Sequence, residues 1–272
     1  MARKTVLVLF LLVFGAANAQ AFPPSYVEKI RAIPDMTQTE PRYHLPGGGK
    51  QYCAPVAVSN SFMLLSRQGY VNLVPDSADP GHAQALVAGL LGSKRYMNTN
   101  LKNGTGPTRV LRGVSRFLED CGYRYSYLGY QGWREHPSRF RTGVSVPVLD
   151  WIKDGMIGVS AVWLNVGWYK YDGLKDEYRR IGGHWVTLVG YGADYMGRED
   201  PDLLIVHNPA SRGSGIVSHE YVRVEHMDSG RMIVDRDGDG MDAYGYHILS
   251  GDIPIRSRAD CAILDGAIVL RM

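Results

Sequence analysis

Gly182-Gly183-His184-Trp185-Val186-Thr187-Leu188-Val189-Gly190-Tyr191-Gly192 is the stretch on which the fold turns. Trp185 to Tyr191 is dense in apolar and β-branched residues with glycines on either side, the composition of a half-buried or buried strand. A histidine at the head of such a strand is held by the sheet and reachable from a cleft. Outward from it, the same texture recurs. Met156–Leu164, Leu203–Val206, Gly215–Val224 and Ala267–Leu270 are strand-like, and Tyr123–Tyr127 alternates as a strand does.

Before residue 122 the period is helical. Val58, Phe62 and Leu65 fall at i, i+4 and i+7 within Pro55–Gln68, with Pro55 suited to a first turn and Gly69 to a stop. A second helix is predicted over Ala83–Leu91. A third runs from Thr108 as N-cap to Asp120, with Gly122 ending it. A short helix is expected around Val146–Lys153. No internal repeat is present, and no linker separates two units. The expectation is one α+β domain, a helical N-terminal half packed on an antiparallel sheet in the C-terminal half.

Composition narrows the function classes. Hydrophobic residues are 45% and charged residues 21% of the 272 positions, ordinary for a folded chain and unlike a disordered one. The formal charge is +3, and once Arg3 and Lys4 are set aside the two signs nearly balance. With no Lys/Arg cluster either, nucleic acid is not an expected partner. Arg3 and Lys4, the apolar run Val6–Phe14 and the small residues of Ala17-Asn18-Ala19 have the layout of a secretory signal peptide. That run is too short for a permanent membrane span. Residues 1–19 are therefore expected to be a signal peptide, 20–49 an extended Pro/Gly-rich segment, and 50–272 the domain. The expected product is an exported monomer, periplasmic or extracellular.

Cys53 stands where the first helix begins, after Gly48-Gly49-Lys50-Gln51-Tyr52. A helix N-terminus presents unpaired N–H groups and partial positive charge, which favour a thiolate. Taken alone, a small buried cysteine is as good a reading. His184 lies 131 residues on, a Cys-to-His spacing found in papain-like enzymes. Asn208 ends a strand before Pro209 and is placed to accept an imidazole N–H. Nucleophile, base and orienter are thus all present. Gln51 adds an amide for an oxyanion.

Gln51-Tyr52-Cys53-Ala54-Pro55-Val56-Ala57 resembles the active-site helix start of papain-superfamily cysteine peptidases, in particular the bacteriocin-processing (double-glycine leader) peptidase-like branch. Gly183–Tyr191 resembles that branch's histidine strand, and His207-Asn208-Pro209 its Asp/Asn-Pro. That branch usually has Asp where Asn208 stands. The resemblance covers roughly residues 50–210. It implies a papain-like fold and a thiol hydrolase cleaving peptide or amide bonds of a peptide or protein substrate, with no cofactor required. A papain-fold acyltransferase, a cell-wall amidase and a catalytically inactive binding module are the alternatives.

Three cysteines in an exported chain leave at least one unpaired. A Cys121–Cys261 disulfide would leave Cys53 free, while two separate buried thiols fit the sequence nearly as well. Asp235-Arg236-Asp237-Gly238-Asp239-Gly240 matches the first half of a calcium loop, with Asp235, Asp237 and Asp239 as oxygen ligands. The closing Glu is replaced by Tyr246, so a hairpin turn between strands near Met232 and Tyr244 competes with calcium binding.

Overall fold

The structure is a computed structural model that describes residues 24–210, 219–233 and 240–272. The expected signal peptide at 1–19 lies outside the described residues, as do Asp235, Asp237 and Asp239. Along the chain come β1 (Val27–Glu28), α1 (Cys53–Arg67), α2 (Pro80–Gly92), α3 (Pro107–Asp120) and β2 (Tyr127–Gly132). Then follow α4 (Leu149–Asp154), β3 (Ser160–Asp172), β4 (Glu177–Ala193), β5 (Glu199–His207) and β6 (Glu220–His226). Last are β7 (Arg231–Ile233), β8 (Gly240–Asp242), β9 (His247–Gly251) and β10 (Cys261–Arg271).

The helices lie close to their expected places. Asp79 caps α2 by accepting from Gly81 N at 2.9 Å and His82 N at 3.1 Å. The N-cap of α3 is Gly106 with Pro107 behind it, not Thr108, whose hydroxyl donates to Glu135 O instead. No helix among the described residues is long and apolar enough to cross a membrane.

The sheet corrects the expected architecture. The chain is mostly β, and its sheet is not a layer with a helical half laid on it. β3, β4, β5, β6, β9 and β10 pair in that order, each antiparallel to the next, and β10 pairs back onto β3. The result is a closed six-strand barrel, and the α+β description with a papain-like split into helical and sheet halves does not hold. Of the remaining strands, β1 and β7 join β4, β2 joins β10 and β8 joins β7. Closure leaves those six strands no free edge.

Alternation along the barrel strands separates two cores. Val162, Leu164, Val166, Val186, Leu188, Leu204, Val206, Val222, Leu249 and Leu264 belong to the interior cluster. Ala161, Trp163 and Trp185, of opposite parity, and Ile268 and Leu270, turned outward by the bulge after Leu264, join α1 and α3 in an outer cluster with Phe62, Leu65, Val114 and Leu118. Trp163 is fully buried there, its indole N–H directed at Ala57 O and Ser61 Oγ, both at 3.1 Å. These contacts seat α1 on the outside of β3 and β4.

Candidate functional site

The pairing of β4 with β5 brings His184 and Asn208 together. Thr187 is opposite His207, so Asn208 follows directly after the strand that runs beside the buried part of β4. His184 Nε2 donates to Asn208 Oδ1 at 2.6 Å, and both residues are buried. Donation from Nε2 fixes the tautomer in which Nδ1 carries the lone pair. The ring lies nearly parallel to Trp168, with centroids 6.1 Å apart. Asn165 Nδ2 holds the His184 carbonyl at 3.2 Å.

Asn208 is itself held on three sides. Its Oδ1 also accepts from Ala210 N at 3.0 Å, and its Nδ2 donates to Glu220 Oε1 at 3.2 Å. Glu220 is buried. An Asp at 208 would set a second carboxylate against it, which gives a physical reason for Asn at this position.

Cys53 is the first residue of α1, and the backbone N–H groups of Trp185, the residue after His184, and of Ala54 and Cys53 itself are near enough to its sulfur to favour the thiolate. Two further polar contacts lock the first turns of α1 onto β4. Thr187 Oγ1 donates to Ala57 O at 2.8 Å, and Asn60 Nδ2 donates to Thr187 Oγ1 at 3.3 Å. Ahead of the helix, Gly49 has φ +73°, and a Cβ there would lie 1.6 Å from Gln38 O. Gln38 Nε2 donates to Gly49 O and Lys50 O at 2.9 and 3.1 Å, while Gln38 N donates to Pro209 O at 2.9 Å. A single buried residue therefore ties the loop before the thiol to the strand end that carries Asn208.

Burial sets the protonation states. It pushes the Cys53 thiol above its ordinary range, only partly offset by the N–H groups of Trp185, Ala54 and Cys53. It pushes His184 down, opposed by the bond to Asn208. Neutral thiol and neutral imidazole are the forms favoured at neutral pH. Chemistry at Cys53 would therefore proceed by proton transfer to His184 as the sulfur attacks.

Other expected residues fare differently. The Gln51 carboxamide lies against Gly104 and makes no hydrogen bond among the described residues. Cys121 and Cys261 are free thiols packed against separate apolar clusters, so the expected Cys121–Cys261 bond is not formed. Among the described residues no cluster of His, Cys, Asp and Glu could hold a metal. The flanking strands β7 and β8 pair antiparallel, and the segment between them that carries Asp235, Asp237 and Asp239 lies outside the described residues. A cavity of about 1210 Å³ lies under the N-terminal segment beside α1 and α2, lined by none of Cys53, His184 and Asn208.

Gln38, Asn60, Asn165, Thr187 and Glu220 support the site and were not legible as such in the sequence. Ser59-Asn60-Ser61 inside an apolar helix was the one available signal, because a fully buried amide needs partners. Comparison of the chain with protein-family models gives no match, and comparison with curated proteins gives none either.

Proposed function

We propose that this chain is an exported thiol hydrolase, a cysteine peptidase acting on a peptide or amide bond through Cys53, His184 and Asn208. One observation carries the reading: His184 Nε2 is bound to Asn208 Oδ1 at 2.6 Å, and the backbone N–H of the next residue, Trp185, is near enough to Cys53 to favour its thiolate. The resemblance of Gln51–Ala57 and Gly183–Tyr191 to papain-superfamily motifs supports the same chemistry.

In this mechanism His184 Nδ1 takes the thiol proton as the sulfur attacks the substrate carbonyl. The bond to Asn208 holds the ring and stabilises the imidazolium that forms. The Cys53 N–H, joined by the Gln51 carboxamide if it swings from Gly104, donates to the oxyanion. His184 then returns the proton to the leaving amine, and water, activated by the same imidazole, hydrolyses the thioester.

Burial of the thiol favours a second reading, a binding module in which Cys53 only packs. Site-resolved alkylation separates the two. For a hydrolase, iodoacetamide at pH 7 labels Cys53 faster than Cys121 and Cys261, and His184→Ala abolishes the difference. Equal labelling of all three, unchanged by His184→Ala, would sink the hydrolase.

A further inference from the structure

A buried ion pair outside the proposed site, Arg180 with Asp265, lies on the outer face of β3, β4 and β10. Asp265 occupies the bulge between Leu264 and Gly266 and is fully buried. It accepts from Tyr169 Oη at 2.6 Å, Arg180 Nε at 2.8 Å and Trp133 Nε1 at 3.1 Å. A second bulge, at Ile181, turns Arg180 to the face of Tyr169. The opposite nitrogen of that guanidinium, Nη2, is buried against Gly183 with no hydrogen-bond partner among the described residues.

Arg134 flanks the same indole. Both guanidinium carbons are 5.9 Å from the Trp133 ring. Among the described residues Arg134 makes no ion pair, and its Nη1 reaches only the neutral Asn165 Oδ1, at 3.5 Å. Asn165 in turn holds the His184 carbonyl. Two cations thus share one carboxylate beside the histidine strand. Burial, and then the charge of Arg180, depress the basicity of Arg134, and the shared Asp265 carboxylate only partly opposes them. A cavity of about 290 Å³ opens on Arg134, with Arg109 and the exposed Glu135 also lining it. It begins at Gly106, and the preceding Thr105 O accepts the Trp185 indole N–H at 2.8 Å.

We propose that this cavity is a substrate subsite for a carboxylate, with Arg134 as the contacting group and the Arg180–Asp265 pair behind it. The proposal rests on the hydrolase reading and deepens it: the substrate carries an acidic side chain or a free C-terminus near the cleaved bond. A bound carboxylate supplies a second counter-charge for the two cations and can be gripped by two guanidinium N–H groups. Three guanidiniums against two carboxylates disfavour a cationic group.

The test uses pools of internally quenched peptides. One pair of pools differs only in Glu against Gln, with both C-termini amidated. A second pair differs only in a free against an amidated C-terminus. Wild type is expected to cleave the carboxylate member of one pair at least about tenfold faster. Which pair shows it identifies the source of the carboxylate. Arg134→Gln brings the ratio to about one, and Arg134→Lys keeps part of it; a ratio is blind to any loss of folded protein. In parallel, the Trp133 indole N–H resonance is followed in Cys53→Ala protein titrated with N-acetylglutamate and N-acetylglutamine. Only the former is expected to move it, and not when Arg134→Gln is added. Cleavage without preference, or a preference that survives Arg134→Gln, overturns the subsite and leaves the hydrolase standing. A shift with no peptide cleaved supports the subsite and counts against the hydrolase. Neither cleavage nor shift overturns both.

Discussion

Replacing Asn208 with Ala is the sharpest probe of the site. The substitution removes the acceptor of two N–H groups, His184 Nε2 at 2.6 Å and Ala210 N at 3.0 Å, and the donor to Glu220 Oε1 at 3.2 Å. A buried donor left without its acceptor costs about 1–3 kcal/mol. Partial relaxation around the smaller side chain brings the expected loss of folding stability to about 2–4 kcal/mol. The imidazole is affected separately. If the orienting bond contributes about 1–3 kcal/mol to the reactive geometry, its loss slows proton transfer from Cys53 roughly 5- to 150-fold. The assay is the rate of Cys53 alkylation by iodoacetamide, resolved by site with mass spectrometry, in buffer where circular dichroism shows the variant folded. Denaturant titration supplies the stability difference. A folded Asn208→Ala protein that alkylates at Cys53 within twofold of wild type would refute the role assigned to Asn208.

Other expectations follow from the same contacts. His184 is held below its ordinary value, so its stabilising contribution is present above pH 6.5 and is lost as pH falls through 6.5 towards the folded-state value. Cys53 is held above 9.0, so its contribution is present below that pH and is lost as pH rises through it; thermal melts of wild type and Cys53→Ala should converge on the alkaline side. Gly49→Ala should lose more than about 4 kcal/mol or fail to fold, since its Cβ would meet Gln38 O at 1.6 Å; normal melting would disprove the close approach. Gln38→Ala should cost about 1–3 kcal/mol in denaturant titration, because the Gly49 and Lys50 carbonyls lose their buried donor; a change under about 0.5 kcal/mol would show that the brace is not needed.

Local pattern was enough to locate the helices and the strand that carries His184, because helical period, caps and β-branched runs act over a few residues, but it misplaced the head of that strand: β4 begins at Glu177, seven residues before the histidine. It also marked Cys53, His184 and Asn208 by residue type and neighbours. Their convergence is a different matter. It depends on β4 lying beside β5, and on α1 docking through Ala57, Asn60 and Thr187, contacts made by residues more than a hundred positions apart. Barrel closure was equally hidden, since a period of two marks a strand's faces without naming its neighbours. β10 touches β2, β3 and β9, and nothing within Cys261–Arg271 records those partners. The Asp265 and Arg180 bulges, which turn two charges to one face, arise from register slips between paired strands. Residue chemistry was therefore settled along the chain, whereas adjacency, burial and the protonation states that follow from them were decided only when the barrel closed.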